Sequence, residues 1–173
     1  GPDAAPPGGP RRGTPIAPRG PSPRPGFLSA SVLVAGEVKG ELARIHPARA
    51  CCRRAELVGL LHGSGGRTLR TLDHATARTA VHLASALGIA VEPPRPAATE
   101  RRGDRSRHHL VVELDPAVAD GWRWSDVGGC DRRSFLRGML LASGSISFTS
   151  SGPHVEFVLR DRGTAEALRA HLA

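Results

Sequence analysis

"LVGLLHGSG" at residues 57–65 and "LRGMLLASG" at residues 136–144 have one shape, and their repetition decides the reading of the fold. The same offset carries "CCRRAEL" from residue 51 over "CDRRSFL" from residue 130. Cys51 falls on Cys130, Arg53 and Arg54 on Arg132 and Arg133, Gly59 on Gly138, Ser64 on Ser143, and Gly65 on Gly144. An offset this long exceeds the short periods of stacked solenoid repeats, so it predicts two halves related by a pseudo-twofold axis. Both stretches read as helices, and a glycine inside a helix costs about 1 kcal/mol relative to alanine. The same cost at two matched positions points to two helix backbones in close approach, with Leu57, Gly59, Leu136 and Gly138 at the helix-pair interface.

The surrounding chain supports a globular domain behind a tail. With 173 residues it is long enough to bury one sizeable core. Residues 1–27 hold nine of the fifteen prolines and few aliphatic side chains, a composition that cannot offset chain entropy by burial. The expected organisation is a Pro/Gly/Arg-rich tail over residues 1–30 and a domain over 31–173, with halves at about 31–92 and 106–173. No apolar stretch resembles a signal-peptide core or approaches bilayer length, so a cytoplasmic location without membrane contact is expected.

Hydrophobic periodicity places the elements. Val34, Val38, Leu42 and Ile45 recur at helical spacing before Pro47. A second helix runs over Arg53–His62 and is closed by Gly63, Gly65 and Gly66. "RTLRTL" at 67–72 reads as a strand and "TARTAVHLASALG" at 76–88 as an amphipathic helix. "IAVEP" at 89–93 and "RHHLVVEL" at 107–114 read as strands flanking a polar loop over 94–106. The second half repeats the order: a helix over Arg132–Ala142, strands at "SISFT" and "HVEFVLR" joined by "SSGP", and a closing helix over 164–173. Helices on one face of a mostly antiparallel sheet make the fold class α+β. The first half lacks residues for a strand directly after its glycines, so its sheet is expected to be short or irregular.

The paired L-x-G-x-x-x-x-x-G stretches resemble the two core helices of the LAGLIDADG homing-endonuclease fold. "EVKGELARI", "CCRRAELVGLLHGSGG", "RRGDRSRHHLVV" and "CDRRSFLRGMLLASGSIS" are similar, in order and spacing, to the amino-terminal portion of the WhiA family of bacterial sporulation and cell-division regulators. The resemblance covers about residues 32–173. It implies a pseudo-twofold domain whose sheet faces DNA, a nucleoid-associated location, and a role in transcription control. Nuclease members place a carboxylate at the eighth letter of each motif, where two acids hold divalent metals beside the phosphates. Here those letters are Ser64 and Ser143, poor magnesium ligands, which implies a nuclease scaffold without catalytic residues and a chain that is not an enzyme. Family members continue into a helix-turn-helix domain, expected to be absent from this chain, so specific operator reading is not expected of it alone.

Charge supplies the candidate binding surface. The net charge of +8 comes from twenty-three arginines and one lysine, a balance suited to phosphate, although a coding bias toward Arg, Ala, Gly and Pro would raise it as well. Position says more than the total. Arg95, Arg101, Arg102, Arg105 and Arg107 crowd the stretch between the halves, opposed only by Glu100 and Asp104, and are the candidate DNA-binding residues. DNA is thus the expected partner, through weak, largely sequence-independent phosphate contacts. The alternatives are a scaffold that docks a helix-turn-helix domain or a protein partner, and, further off, an active metal-dependent endonuclease.

His108 and His109 should point to opposite sides of their strand. Cys51, Cys52 and Cys130 form no CxxC, and adjacent cysteines chelate poorly, so packing is expected of them and no metal or cofactor is assigned. Symmetry alone could bring Cys51 to Cys130 at two helix N-termini, where thiolates are favoured.

Overall fold

The computed structural model describes residues 36–97, 100–102, 105–149, 152–159 and 162–172; the expected tail and Val34 lie outside the described residues. Helical residues 36–42 (α1) end in a turn before Pro47. There follow α2 (Ala50–Ser64), β1 (Thr68–Thr71), α3 (His74–Ala86), β2 (Arg95–Pro96), β3 (Glu100–Arg102), β4 (Arg105–Arg107) and β5 (Leu110–Glu113). The chain continues through two short 3-10 turns to α4 (Gly129–Ala142), β6 (Ser145–Thr149), β7 (Gly152–Glu156) and α5 (Arg162–Leu172). The architecture is α+β, with every strand pair antiparallel.

The helix boundaries have local causes. α2 stops because Gly65 adopts φ 82°, letting its N–H reach His62 O at 3.2 Å while the Gly66 N–H reaches Leu61 O at 3.0 Å. A left-handed residue there closes the orphan carbonyls of the last turn. α3 begins at Asp73, whose carboxylate accepts from the N–H groups of Ala75 and Thr76 and from the Thr76 hydroxyl at 2.7 to 3.1 Å. α4 ends differently from its counterpart. Ser143 caps it without a left-handed glycine, and its hydroxyl reaches Val158 O at 3.1 Å, tying the helix end to the segment after β7.

The strands form three separate sheets, not one. Among the described residues β5 lies between β1 and β2, β3 pairs with β4, and β6 pairs with β7. The expected shortage of strand residues in the first half is visible in this pairing: β1 has no adjacent hairpin partner and pairs Thr68 through Thr71 with Glu113 through Leu110. "IAVEP" forms no strand. Pro93 and Pro94 lack the N–H that a ladder needs, so pairing starts only at Arg95. Within the expected polar loop, β3 and β4 pair antiparallel, with Glu100 opposite Arg107 and Arg102 opposite Arg105. β5 begins at Leu110, after both histidines; His108 is exposed and His109 half-buried. β7 ends at Glu156, short of the expected residue 160. Its last rung is Ser145↔Glu156, and the partner chain turns into the end of α4 beyond that point.

The core forms where α2, α3 and α4 meet the three-stranded sheet. Ala55, Val58, Leu60, Leu69, Leu83, Phe135 and Met139 are fully buried. Phe135 stacks on Trp122 with centroids 4.5 Å apart and meets the edges of Trp124 and His62. Such offset and edge-on aromatic contacts add to the area they bury.

Candidate functional site

Reciprocal glycine contacts build the helix pair. A Cβ on Gly59 would overlap the Phe135 carbonyl oxygen, and a Cβ on Gly138 would overlap the Glu56 carbonyl oxygen. The repeat offset carries Glu56 onto Phe135 and Gly59 onto Gly138, so these are one contact seen from both sides of a pseudo-twofold axis. Further along, a Cβ on Gly63 would stand 2.7 Å from Ala142 Cβ, and those positions are again equivalent. Contacts that rise together in both helices make the pair parallel. Leu57 is buried in the core and Leu136 packs half-buried against it.

The repeated arginines fasten each helix to what precedes it. Arg53 Nε donates to Pro47 O at 2.7 Å, and its equivalent Arg132 donates to Trp124 O at 3.2 Å. Arg54 reaches further, donating to Val118 O at 2.9 Å and Asp120 O at 2.5 Å in the connection between the halves.

A buried acid one residue before the first motif joins the two helices. Glu56 lies within α2, fully buried, and receives Arg137 Nε at 2.8 Å and Nη2 at 2.5 Å from α4. This two-pronged pairing matches the guanidinium fork to the carboxylate and satisfies both oxygens. The signal available in sequence was an asymmetry: Glu56 stands where the other half has Phe135, and Arg137 where the other half has Val58.

Ser64 and Ser143 stand at the opposite end of the pair from the cysteines. The Ser64 hydroxyl donates to Leu61 O at 2.9 Å, and the Ser143 hydroxyl lies 3.5 Å from Met139 O in addition to its Val158 contact. Both are half-buried. Of the basic candidates, Arg95 lies on β2 with its Nη2 3.0 Å from Glu113 Oε1, both side chains well exposed. Arg101, Arg102, Arg105 and Arg107 lie on the β3–β4 pair, and their side chains fall outside the described residues.

At the amino-terminal ends of α2 and α4 the thiols converge. The Cys51 and Cys52 sulfurs are 4.0 Å apart, and the Cys130 sulfur is 3.8 Å from Asp131 Oδ1. Ligand atoms of Cys51, Cys52 and Asp131 all lie within 4.8 Å of one another, which makes this the one cluster of metal-ligating type among the described residues. Burial, and then hydrogen bonding to Asp131, Cys130 and Cys51, pushes the Cys52 thiol up to about 12. Burial thus outweighs the helix terminus, which by itself would favour the thiolate.

Among the described residues no helix is long and apolar enough to cross a membrane. No family model matches the chain. It is 30% identical over 165 residues to the probable cell division protein WhiA of Syntrophomonas wolfei, covering 79% of this chain and 52% of that protein. To the same-named protein of Desulfitobacterium hafniense it is 30% identical over 163 residues, covering 76% and 49%. The chain thus spans about half the length of these relatives. Its fold matches full-length WhiA from Thermatoga maritima with a TM-score of 0.56 at 18% identity, covering 79% of this chain and 48% of that one. It matches the N-terminal LAGLIDADG domain of WhiA with a TM-score of 0.63 at 20% identity, covering 78% and 70%. Over the residues that match, this chain belongs with the amino-terminal LAGLIDADG-like domains of the WhiA family.

Proposed function

We propose that this domain is a non-catalytic regulatory module of WhiA type that holds DNA through its phosphates and serves transcription control in cell division or sporulation. The observation that carries the reading is the carboxyl end of the helix pair, where Ser64 and Ser143 occupy the acid positions and spend their hydroxyls on main-chain carbonyls. Neutral hydroxyls so engaged hold divalent cations poorly, and what remains for recognition is positive charge. Support for DNA contact comes from the four arginines on β3 and β4, which follow in the chain the edge strand β2 that carries Arg95. Arg95 must leave Glu113 to reach a phosphate, so it contributes less than the other four.

Fluorescence anisotropy on two unrelated duplexes across a salt series tests this reading. Binding is expected to be weak, similar on both duplexes and steeply salt-dependent. Replacing Arg101, Arg102, Arg105 and Arg107 by Ala should flatten the slope of log K against log salt by about 0.9 per lost phosphate contact. Strong discrimination between the duplexes, or a slope indifferent to the four substitutions, would refute it.

A protein-docking scaffold, for a helix-turn-helix domain or another partner, is the second reading. The exposed Phe148, Val155 and Val158 on and after the β6–β7 ribbon favour it, because apolar side chains grouped on a two-stranded ribbon lack cover.

A further inference from the structure

The spacing of the cysteines in sequence argues against a metal, yet the fold supplies what the spacing lacks. Two consecutive ligand-type residues open each of the paired helices: Cys51 and Cys52 on α2, Cys130 and Asp131 on α4. The repeat offset carries one pair onto the other, so the pseudo-twofold axis that joins Gly59 to Gly138 also brings these four residues together. We propose that Cys51, Cys52 and Asp131, with Cys130 as the fourth ligand, bind one thiophilic divalent cation of the zinc type between the amino-terminal ends of α2 and α4.

Three features of the geometry fit that cation. A tetrahedral site with zinc–sulfur bonds of about 2.3 Å sets its sulfurs about 3.8 Å apart, close to the 4.0 Å between Cys51 and Cys52. The oxygen of Asp131 lies within 4.8 Å of both sulfurs, so contraction of about an ångström draws these three around one ion, and Cys130, outside that trio but 3.8 Å from the same carboxylate, must move in to complete the set. Cys51 is exposed whereas Cys52 is buried, which gives the ion an entrance and an inner anchor.

Charge balance supports the same end of the molecule. Three thiolates and a carboxylate exceed the charge of a divalent ion, and Arg49 and Arg133 line the cavity of about 410 Å³ that Cys52 and Cys130 share. The cation would fasten the two halves at the end opposite Ser64 and Ser143. Nothing in this proposal depends on whether the domain binds DNA.

Cobalt titration of the full chain, reduced and freed of metal, tests the site. One equivalent of Co²⁺ should develop thiolate-to-cobalt charge-transfer absorption together with the intense visible bands of tetrahedral cobalt, and one equivalent of Zn²⁺ should abolish both. Asp131→Asn and Cys130→Ser should each weaken cobalt binding at least about tenfold, and Cys52→Ser about a hundredfold. Zn²⁺ should raise the melting temperature of the parent chain but not of Cys52→Ser. If that variant does not fold, Cys51→Ser at an exposed position carries the comparison. Absence of the charge-transfer absorption, or a spectrum indifferent to both Cys130→Ser and Asp131→Asn, would overturn the proposal. So would peroxide converting Cys52 and Cys130 to an intramolecular disulfide in a chain that takes up no cobalt.

Discussion

Glu56 is the residue whose environment departs furthest from its type. A fully buried carboxylate is tolerated because Arg137 meets it with two hydrogen bonds across the helix pair. Removing one member leaves the other desolvated and unpaired, so Arg137→Met is expected to cost about 3–5 kcal/mol. Replacing both by Met should cost clearly less, since buried pairs exchanged for apolar side chains are often close to neutral. Urea denaturation of the single and double variants decides it, and a single substitution as mild as the double would refute the account. Asp73 offers a second test. Burial alone would raise its pKa, but hydrogen bonds from the Thr76 side chain and the N–H groups of Thr76 and Ala75 outweigh burial and hold it below its ordinary 3.8. A depressed folded-state value means stabilisation that is complete above 3.8 and lost as pH falls through the lower folded value. Asp73→Ala should cost about 1 kcal/mol near pH 7. Asp73→Asn should keep most of the cap while flattening the acid limb of stability against pH. Acid limbs that superimpose for parent and Asn variant would contradict the assignment.

At the scale of elements, glycines of one residue type separate by what surrounds them. Gly59 and Gly138 hold α2 against α4 with no room for a methyl group, since each Cβ would overlap a backbone oxygen that cannot swing away. Gly40 in α1 has nothing within 4 Å of its Cβ position. Gly59→Ala or Gly138→Ala should therefore destabilise the domain by about 1–3 kcal/mol, and Leu at either site by more. Gly40→Ala should instead stabilise it by roughly 0.5–1 kcal/mol through helix propensity. Thermal melts of the three alanine variants form one experiment with opposite expected signs. Gly59→Ala and Gly138→Ala variants as stable as the parent would mean that the two motif helices do not meet through these residues.

At the scale of the whole molecule, the proposed lack of nuclease chemistry has a direct test. Incubation of supercoiled plasmid with the chain in magnesium or manganese is expected to leave it intact, since Ser64 and Ser143 offer no carboxylate at the acid positions. Protein-dependent nicking that EDTA abolishes would show that a carboxylate arrives from elsewhere. The proposed cation at the cysteine end would not substitute for such a centre, as it lies at the other end of α2 and α4.

The repeat offset by itself determined the pairing of the two helices, because close backbone approach demands a residue without a side chain and leaves glycine at equivalent positions. Helical periodicity likewise placed α2 through α5, since a face buried against a core must recur every three or four residues. Strand partners were not legible. Whether Thr68–Thr71 pairs locally or with Leu110–Glu113 depends on which edges the folded helices leave uncovered, and a four-residue strand carries too few side chains to specify that. The Glu56–Arg137 pair and the meeting of Cys51, Cys52, Cys130 and Asp131 belong to the tertiary structure for the same reason. Each joins residues about eighty positions apart, and only the parallel packing of α2 on α4 brings Arg137 into hydrogen-bond reach of Glu56 and sets the ligand atoms of Cys51, Cys52 and Asp131 within 4.8 Å of one another.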